Sequence, residues 1–512
     1  MPTNLSKSRY TAYCQCPKNM WLGVYHPEKM DKVDAALQAR FESGSQVGEL
    51  AKQLFPGTID VITRIGETLD LKAMIEETQL CISNKADCIA EASFSYKGCY
   101  CAVDLLRREG NGWAIYEVKS TTNKDEYGRP KKFDKYFPDI AYQTWVLHQC
   151  GINVTGINLV CLNREYVRQG ELNLQHLFAI IDMREAVGNE LLKVPIQVPA
   201  ALRVMEQGQE PDNDLSEHCD KPYKCAFWSY CLRQHHLPED SVFKVYGSST
   251  RKGDPTFNIN KKLAHYRAGR VSYEDLVDQP LGIIQRLQVE RKTQIDKDGI
   301  RNFLDKLSYP LYFLDFETIQ DVVPQYDNTY PCMQIPFQYS LHIKRSADSA
   351  YEHYEFLSPN DGSDPRRSLA EQLCRDIPMN VCTLAYNMSF EKKRIEDLAK
   401  IYPDLAEHLL NIHNNIYDLL DPFRAGYYYL PDMGGSFSIK SVLPALCPAE
   451  PSLNYHNLDE RCQNGGDAMT IFPRIQHMEP AEAAASREAL LRYCELDTWA
   501  MVKVWEKLKS NV

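Results

Sequence analysis

The pattern of apolar and polar residues in the first half of the chain predicts strands alternating with a helix. The runs EASFSYKG, YCAVDLLRR, WAIYEVKS and GINLVCLN have the length and composition of strands. The segment DIAYQTWVLHQCG, which precedes the last of these runs, has the spacing of a helix. This alternation predicts an α/β fold with a mixed sheet flanked by helices.

The pattern changes twice along the chain. Residues 241–300 are polar and helical in character, as in KKLAHYRAGRVSYEDLVDQ, with few strong apolar stripes. From residue 301 the chain restarts with the strand YPLYFLDFETI and ends with the amphipathic helix REALLRYCELDTWAMVKVWEKL. We therefore predict a domain over residues 1–240, a helical connector over 241–300 and a second domain over 301–512.

Charged residues interrupt the apolar strand WAIYEVKS. Glu117 and Lys119 share one strand face, because alternate residues of a strand point the same way. The turn REGNGW predicts a hairpin that brings Asp104 beside Glu117. Paired carboxylates repel one another unless a hard cation such as Mg²⁺ lies between them, and Lys119 is then placed to steady an attacking water or the charge on a phosphate. The alternative is an ordinary Glu–Lys pair on a surface hairpin.

These residues resemble the core of a known nuclease family. Asp104, the Glu117-Val118-Lys119 triplet and Gln143 in the next helix look like the PD-(D/E)XK core of the RecB-like branch. The resemblance implies a restriction-endonuclease-like mixed sheet. It also implies that Asp104 and Glu117 bind Mg²⁺ or Mn²⁺, that Lys119 is catalytic and that Gln143 contacts Lys119 and the substrate region.

Three further positions compare with the same family. Glu91 matches an acidic residue often found upstream of the first Asp, and is a further candidate metal ligand. The Tyr usual four residues after the Gln is Leu147 here. A metal-binding His common in an early helix is absent from GSQVGELA, where Glu49 lies near its place.

The chain has 17 cysteines, and three of them have ligand-like spacing. The segment CDKPYKCAFWSYC holds Cys219, Cys225 and Cys231, and a tetrahedral metal site or a cubane cluster needs a fourth soft ligand. RecB-like nucleases with iron–sulfur clusters, of the CRISPR-associated and AddB types, carry an early Cys before a Pro. Cys16, which Pro17 follows, fits that place better than Cys14. The resemblance implies a 4Fe–4S cluster, with zinc or unligated core cysteines as alternatives.

A second set of acids lies in the C-terminal domain. Asp315 and Glu317 share one face of the strand LYFLDFET, and Glu391 and Asp497 follow in AYNMSFEKKRI and RYCELDTWAMV. Spaced acids that converge from separate elements suit a site in which two metal ions hold a phosphodiester. The alternative for Asp315 and Glu317 alone is a strand end with solvated acids.

This set resembles the DEDD exonucleases of the RNase H-like superfamily. DFET matches their first motif, YNMSFE the second with Glu391 in place of the usual Asp, and YCELD the third. The resemblance implies that Tyr493 orients the attacking water. The implied metal ligands are Asp315, Glu317, Glu391, Asp497 and the accessory acid Asp418.

Composition and charge argue against several classes of protein. The chain has 512 residues, 44% of them apolar, and a net charge of −11, which argues against non-specific coating of DNA. No run approaches the roughly 18 apolar residues of a membrane span, and the start MPTNLSKSRY lacks a signal-peptide core. We therefore expect a cytoplasmic protein whose cysteines do not form a disulfide framework.

Together these features predict a metal-dependent nuclease that acts on single-stranded DNA or DNA ends and has a second, 3′–5′ exonuclease-like site. Aromatic residues such as Trp228, Tyr230 and Tyr427–Tyr429 are candidates to stack bases, with core packing as the alternative. Two other functions stay open: one active site with the other domain gripping the strand, or a cluster-stabilised adaptor without catalysis. DNA repair and defence against foreign DNA both use such nucleases.

Overall fold

The computed structural model describes residues 4–32, 35–248 and 256–512. The chain divides into two compact units, Met1–His236 with Asp321–Met333, and Leu237–Gln320 with Gln334–Val512. The division after His236 lies four residues before the boundary expected at residue 240. The segment expected as a connector, 241–300, belongs to the second unit, and a short segment from the C-terminal half belongs to the first.

The first unit contains one large mixed sheet and a small hairpin. Its strands are β1 (Leu5–Ser6), β2 (Ile59–Asp60), β3 (Arg64–Ile65), β4 (Thr68–Leu69), β5 (Cys88–Tyr96), β6 (Cys99–Glu109), β7 (Gly112–Thr122), β8 (Val154–Leu162) and β9 (Phe178–Asp182). The large sheet has the order β2-β5-β6-β7-β8-β9, with β1 paired to β6, and β3 pairs with β4. The predicted hairpin is confirmed, since β6 and β7 pair antiparallel, whereas β7 and β8 pair parallel.

Helices pack against this sheet. They are α1 (Lys7–Gln15), α2 (Pro17–Tyr25), α3 (Ala35–Ala51), α4 (Leu71–Ser83), α5 (Phe137–Gln149), α6 (Leu174–Leu177), α7 (Arg184–Leu191), α8 (Val194–Glu206) and α9 (Trp228–Gln234). The predicted helix DIAYQTWVLHQCG is α5, and its Ile140, Ala141 and Val146 are buried in the same apolar cluster as Ile115 of β7. Strand β7 is therefore a central strand whose first half is buried on both faces, which explains its nearly continuous apolar run.

The second unit is also a mixed α/β structure. Its strands are β10 (Gln294–Ile295), β11 (Leu311–Asp321), β12 (Met333–Lys344), β13 (Tyr351–Leu357), β14 (Cys382–Ala385), β15 (Ile416–Asp418) and β16 (Tyr428–Tyr429). Five strands form a sheet in the order β13-β12-β11-β14-β15, and β10 pairs with β16. The predicted strand YPLYFLDFETI is β11, at the centre of this sheet, where it pairs parallel with β14.

The helices of the second unit include the long C-terminal helix that the sequence predicts. They are α10 (Ile259–Arg267), α11 (Ile283–Val289), α12 (Lys297–Leu304), α13 (Arg366–Asp376), α14 (Ser389–Ile401), α15 (Ala406–Asn414), α16 (Asp421–Arg424), α17 (Ile439–Leu446), α18 (Gly465–Ile471) and α19 (Pro480–Ser510). Among the described residues, no helix combines the length and apolar character needed to cross a membrane.

Candidate functional site

The first acid cluster lies where β6 and β7 part from one another. Their ladder runs from Glu109–Gly112 to Leu105–Tyr116, and then the Asp104 side chain takes over, since its Oδ2 accepts a hydrogen bond of 2.7 Å from the Val118 amide. The side chain thus replaces a backbone partner at this point. This arrangement fixes the Asp104 carboxylate beside Glu117, the next residue along β7.

Glu117 is fully buried and is held by three side chains. The Lys119 ammonium donates to Oε1 at 2.5 Å, and the Gln143 amide donates to Oε2 at 2.8 Å. The Lys7 ammonium lies 3.2 Å from Oε1. Burial and the Asp104 charge raise the pKa of Glu117, but Lys119 and Lys7 outweigh them and the net pKa is lowered. Glu117 is therefore a carboxylate rather than a carboxylic acid.

Lys119 is tied to two acids. Besides Glu117 it donates to Asp139 Oδ2 at 2.9 Å, and Asp139 Oδ1 in turn accepts from Gln143 at 2.9 Å. Burial lowers the pKa of Lys119, yet the charges of Glu117 and Asp139 prevail and the net pKa is raised. The predicted Glu–Lys pair is thus part of a partly buried network and not a solvated surface pair.

Two members of this network were not predicted. Lys7, the first residue of α1, lies between the two carboxylates, 3.4 Å from Asp104 Oδ1 and 3.2 Å from Glu117 Oε1. It is brought there by the pairing of β1 with β6, a contact between positions nearly a hundred residues apart. Asp139 lies four residues before Gln143 on α5, and that helical spacing was a usable signal.

The carboxylate oxygens of this network are suitable ligands for a divalent cation. Asp104 and Glu117 offer hard carboxylate oxygens, which Mg²⁺ and Mn²⁺ prefer. The Lys7 ammonium lies between those oxygens, so the position between them is one that accepts positive charge. In addition, the buried Oε1 of Gln143 has no hydrogen-bond partner among the described residues.

The other residues compared with the RecB-like family have different surroundings. Glu91 occupies the place on β5 opposite Asp104, between Ala90 and Ala92, and burial together with the Asp104 charge raises its pKa to about 7. Leu147 is buried in the apolar cluster. Glu49 is exposed and accepts from Lys52 at 2.6 Å, with no contact to the Asp104–Glu117 pair among those observed in the described residues.

The second acid cluster lines a cavity of about 260 Å³ in the second unit. Asp315 and Glu317 come from β11, Glu391 from the first turn of α14, and Tyr493 and Asp497 from one face of α19. The structure thus brings together five of the six residues predicted for this site. An oxygen of Asp315 and an oxygen of Glu317 lie within 4.8 Å of each other and of the Cys494 sulfur.

The acids of this cavity raise one another's pKa. For Asp315 and Glu317 burial is the main cause, followed by the Asp497 charge. Burial also raises the pKa of Glu391 to about 8, with a contribution from Asp418. The pKa of Asp497 is raised by burial against hydrogen bonds from Tyr455 and Tyr493. Close buried carboxylates of this kind are stabilised by bound cations.

A buried carboxyl oxygen at this cavity also favours a bound metal ion. Within the part of the chain that the structure describes, Oε2 of Glu391 is buried without a hydrogen-bond partner, and Glu391 is only 2% exposed. A buried acceptor without a partner is costly, and a divalent cation would satisfy it. Glu391 therefore contributes its carboxyl group to the lining of the cavity, although the family pattern has an Asp at this position.

Two residues at this cavity were missed by the sequence analysis. Tyr455 donates to Asp497 Oδ1 at 2.5 Å. Lys440, in the stretch GSFSIKSV, lines the cavity and lies 4.7 Å from the Tyr455 ring and 5.2 Å from the Tyr493 ring. Its charge lowers the pKa of the neighbouring acids, so it is the cavity's own counter-charge.

Asp418, predicted as an accessory ligand, has a structural role here. Its Oδ1 accepts from the amides of Asn387 at 2.8 Å and Leu420 at 3.0 Å. It does not belong to the residues that line the acid cavity. Asp418 therefore holds the loop that precedes α14, and it acts on Glu391 through charge.

The four predicted cluster cysteines lie near one another in the first unit. Burial raises the pKa of Cys225 to about 12 and of Cys231 to about 11, and for both the charges of Cys219 and Cys16 add to the effect. Cys16 is at the junction of α1 and α2, and the other three surround the start of α9. Cys14, by contrast, faces Gln197 at 3.8 Å.

The sulfur spacing bears on the kind of group that fits. Thiolates around one zinc ion lie roughly 3.8 Å apart, as follows from a Zn–S bond of about 2.3 Å in a tetrahedron. Among the described residues, the sets of three ligand atoms within 4.8 Å of one another do not include these cysteines. No three of these four sulfurs therefore lie within 4.8 Å of one another.

Of the predicted stacking aromatics, two are in the core. Tyr428 and Tyr429 form β16 and are 5% and 0% exposed, so core packing is their role. Tyr230 donates to Glu210 at 2.8 Å and lies beside Lys29, whose ammonium is 4.6 Å from its ring centre.

Comparison with known proteins gives relatives of undetermined function. Residues 312–438 match the model of a domain of unknown function, DUF2779, a stretch that includes Asp315, Glu317 and Glu391 but ends before Tyr493. An uncharacterized protein of Mycoplasma genitalium is 27% identical over 54% of this chain and 46% of its own length. An uncharacterized protein of Ureaplasma parvum is 27% identical over 31% of this chain and 24% of its own length.

The chain thus spans less than half the length of these curated relatives. No solved structure gives a significant match. The comparisons therefore show similarity to the DUF2779 domain over residues 312–438, a stretch that does not include the first acid cluster.

Proposed function

We propose that this protein is a metal-dependent nuclease that hydrolyses phosphodiester bonds of single-stranded DNA or DNA ends. The observation that carries the proposal is the cavity that Glu317, Glu391 and Asp497, all buried, share with the half-buried Asp315, and in which one Glu391 oxygen lacks a hydrogen-bond partner among the described residues. Such a group of acids is expensive without cations and is suited to holding them. The resemblance of these motifs to the DEDD exonucleases assigns this cavity to removal of nucleotides from a 3′ end.

Each residue of this cavity has a distinct task in the proposal. Divalent cations bound there would supply a hydroxide nucleophile at neutral pH and would neutralise the charge on the leaving oxygen. Burial raises the pKa of Tyr493, with Asp497 adding to the effect, so the phenol keeps its proton and can orient an attacking water. Lys440 offers a positive charge at the same wall, where a phosphate oxygen would gain charge during the reaction.

A neighbouring cavity supports a nucleic-acid substrate. It has a volume of about 690 Å³ and shares Tyr386, Asn387, Ser438 and Ile439 with the acid cavity. That volume lies within the roughly 300–1,000 Å³ of ordinary ligand pockets. Lys244 and Arg424 supply positive charge for phosphates, and the rings of Tyr246 and Phe437, 5.1 Å apart, supply a surface for a base.

The first unit supports a second cleavage site, of the PD-(D/E)XK type. Asp104 and Glu117 would hold the metal, and Lys119 would donate a hydrogen bond to the scissile phosphate or the attacking water. Gln143 fixes Glu117, and Asp139 fixes Lys119. The four cysteines would carry a 4Fe–4S cluster that ties the beginning of this unit to its end, with zinc as the alternative.

A second candidate function follows from Lys7. Because the Lys7 and Lys119 ammonium groups already pair with the Asp104 and Glu117 carboxylates, the first unit can keep its fold without a metal. In that case it would grip the strand while the acid cavity of the second unit alone cleaves. This alternative keeps the protein a nuclease but with one active site.

Degradation of end-labelled single strands with Mn²⁺ tests both candidates. If both sites are active, Asp315→Asn lowers the rate of stepwise release from the 3′ end by at least about 100-fold. Lys119→Ala lowers the rate of the other cleavage, at the first unit, by at least about 100-fold. With one active site, Asp315→Asn removes all cleavage and Lys119→Ala weakens strand binding only. Asp348→Asn, on an exposed turn, and Lys72→Ala, whose side chain is 87% exposed, serve as matched controls. Cleavage by the Lys119→Ala, Asp315→Asn double variant equal to wild type would contradict the proposal.

A further inference from the structure

Two histidines face each other on the five-stranded sheet of the second unit, and neither belongs to the two acid clusters. His342 of β12 and His353 of β13 are directly opposite in the strand register, and their rings lie 4.5 Å apart. Glu495 of α19 approaches them. One nitrogen of each ring and one oxygen of Glu495 all lie within 4.8 Å of one another.

Each ring has one nitrogen tied to a hydroxyl group. His342 Nδ1 is 2.8 Å from Thr498 Oγ1, and His353 Nε2 is 3.0 Å from Ser340 Oγ. The two hydroxyls are themselves linked at 2.7 Å. This leaves Nε2 of His342 and Nδ1 of His353 as ligand atoms, and the latter lies 3.9 Å from Glu495 Oε1. Metal-binding histidines are typically oriented in this way, by a hydrogen bond at the nitrogen that does not bind.

The surroundings favour a cation between these atoms. His342 is 5% exposed, and burial, together with the charge of His353, lowers its pKa to about 3, so the ring keeps a lone pair. Glu355, two residues after His353 on the same strand face, has a raised pKa because of burial and of the charges of Glu495 and Glu488. The unprotonated ring of His342 and the nearby carboxylates therefore favour a bound cation at this place.

We propose that His342, His353 and Glu495 bind a divalent transition-metal ion, preferentially Zn²⁺, at a site distinct from both acid clusters. Two imidazole nitrogens and one carboxylate oxygen suit zinc, whereas Mg²⁺ prefers oxygen ligands alone. Ligand atoms around one zinc ion lie about 3.3 Å apart, and the stacked rings, whose planes are 28° apart, must rotate before their in-plane lone pairs meet at one ion. Three protein ligands leave the fourth position for a water molecule.

The position of the site gives it a structural consequence. Glu495 lies between Tyr493 and Asp497 on α19, on the side of the helix that faces β12 and β13. A zinc ion would tie this helix to the two strands and so restrict the movement of Tyr493 and Asp497. The zinc site itself does not depend on the proposed nuclease activity.

Zinc content and zinc-dependent stability of the full chain test the proposal. Wild type, Glu495→Gln, His353→Ala and the control His477→Ala are equilibrated at graded free zinc up to micromolar levels, and bound zinc per chain is measured by mass spectrometry. We expect wild type and the control to hold one zinc ion more than the other two variants, since the cysteines and the acid clusters are unchanged. Zinc is also expected to raise the Tm of wild type more than that of Glu495→Gln.

The two readouts keep the proposal falsifiable. His353→Ala leaves a gap in the packing, but the Glu495 side chain is 40% exposed and its change to Gln keeps the shape, so a folded variant is available. Equal zinc content of wild type and Glu495→Gln at every free zinc level, with equal shifts in Tm, would overturn the proposal. Loss of strand cleavage with unchanged zinc binding would instead bear on the proposed function alone.

Discussion

Glu117 illustrates how single residues make an unfavourable position tolerable. A carboxylate with no exposed surface has a large desolvation cost unless its oxygens are paired. Here Lys7, Lys119 and Gln143 all contact it. Two of these three are cations, so the site carries enough positive charge to keep Glu117 ionised without a metal, and a bound metal would have to share the carboxylate with Lys7.

Replacement of Lys7 by Met tests this view. In EDTA we expect Lys7→Met to lower the free energy of unfolding by about 1–3 kcal/mol, because a buried charge loses one of its partners. Added Mn²⁺ should recover part of this loss, since the cation can take the position between Asp104 and Glu117. Urea unfolding followed by tryptophan fluorescence measures both effects. Lys72→Met is the control, and a Lys7→Met protein as stable as this control in EDTA would contradict the interpretation.

Asp321 gives a pH-dependent prediction. Burial raises the pKa of its carboxyl to about 6, compared with about 3.9 in an unfolded chain. The folded protein therefore binds more protons than the unfolded one between these values, and its stability falls as pH rises from about 4 to about 6. Asp321→Asn, which cannot ionise, should remove that part of the fall in Tm.

The control for this measurement is Asp348→Asn, because Asp348 is exposed. The quantity compared is the difference in Tm between the two ends of that pH range. An Asp321→Asn protein with the same pH dependence as wild type and the control would show that burial of this carboxyl does not contribute.

Residue-scale prediction from the sequence succeeded where the chemistry is local. Glu117 and Lys119 share a face because they are two apart on one strand, and Asp104 is reached through a short hairpin. Lys7 could not be predicted, since only the pairing of β1 with β6 brings it to the cluster. Lys440 could not be predicted either, because a single lysine in a polar stretch does not indicate a site. Its role becomes visible only in the structure, where it lies beside Tyr455 and Tyr493.

At the scale of elements, the helix pair α1–α2 and helix α9 define the cysteine group. Cys16 occupies the break between α1 and α2, where its extended backbone separates the two helices. Gln15, next to it, donates to the carbonyls of His218 and Tyr223, both at 2.8 Å. The N-terminal helices are therefore already linked to the segment that carries Cys219, independently of any cluster.

Cys16 and Cys14 provide a matched pair for the next prediction. Protein purified without oxygen is expected to be brown and to contain iron, and Cys16→Ala should lose the visible absorption and most of the iron. Cys14→Ala should keep both, because Cys14 faces Gln197 and not the other cysteines. Absorption spectra and iron analysis of the two variants measure this. Equal iron in both variants, or zinc in place of iron in wild type, would contradict the iron–sulfur assignment.

Element prediction was accurate for strongly patterned segments, and the helical character expected for the region 241–300 is observed in α10 and α11. Strands β5 to β8, β11 and helices α5 and α19 follow the predicted runs. The region read as a connector instead forms part of the second unit, with Leu263, Leu276 and Ile284 buried. Its apolar residues are too widely spaced for a strong helical stripe, so only tertiary packing, as in the cluster around Phe257 and Tyr273, reveals its place.

At the scale of the whole molecule, net charge and local charge oppose each other. A chain with a net charge of −11 repels nucleic acid at long range. Lys244 and Arg424, however, line the cavity next to the buried acids. Binding should therefore depend on cations held in the acid cavity and on a few local side chains rather than on a general electrostatic attraction.

This balance predicts the salt and metal dependence of binding. We expect a labelled single strand to bind at least about tenfold more weakly in EDTA than in Ca²⁺, and added KCl to weaken it further as phosphate contacts are lost. The double change Lys244→Ala, Arg424→Ala should reduce the slope of affinity against salt, whereas Lys72→Ala should not. Fluorescence anisotropy measures these affinities. Equal affinity in EDTA and Ca²⁺ would indicate that the acid cavity takes no part in binding.

The segment Asp321–Met333 determines how this protein can be dissected. It belongs to the first unit although it lies in the C-terminal half of the sequence, and there Val323 is buried in an apolar cluster with Tyr166 and Phe178. The Arg168 amide donates to Thr329 at 2.9 Å, and the Arg168 guanidinium donates to Pro324 at 2.9 Å. A gene truncated after codon 236 would therefore encode a fragment with an uncovered apolar surface and unpaired arginine donors, so point variants of the intact chain are the sound way to assign activity to each half.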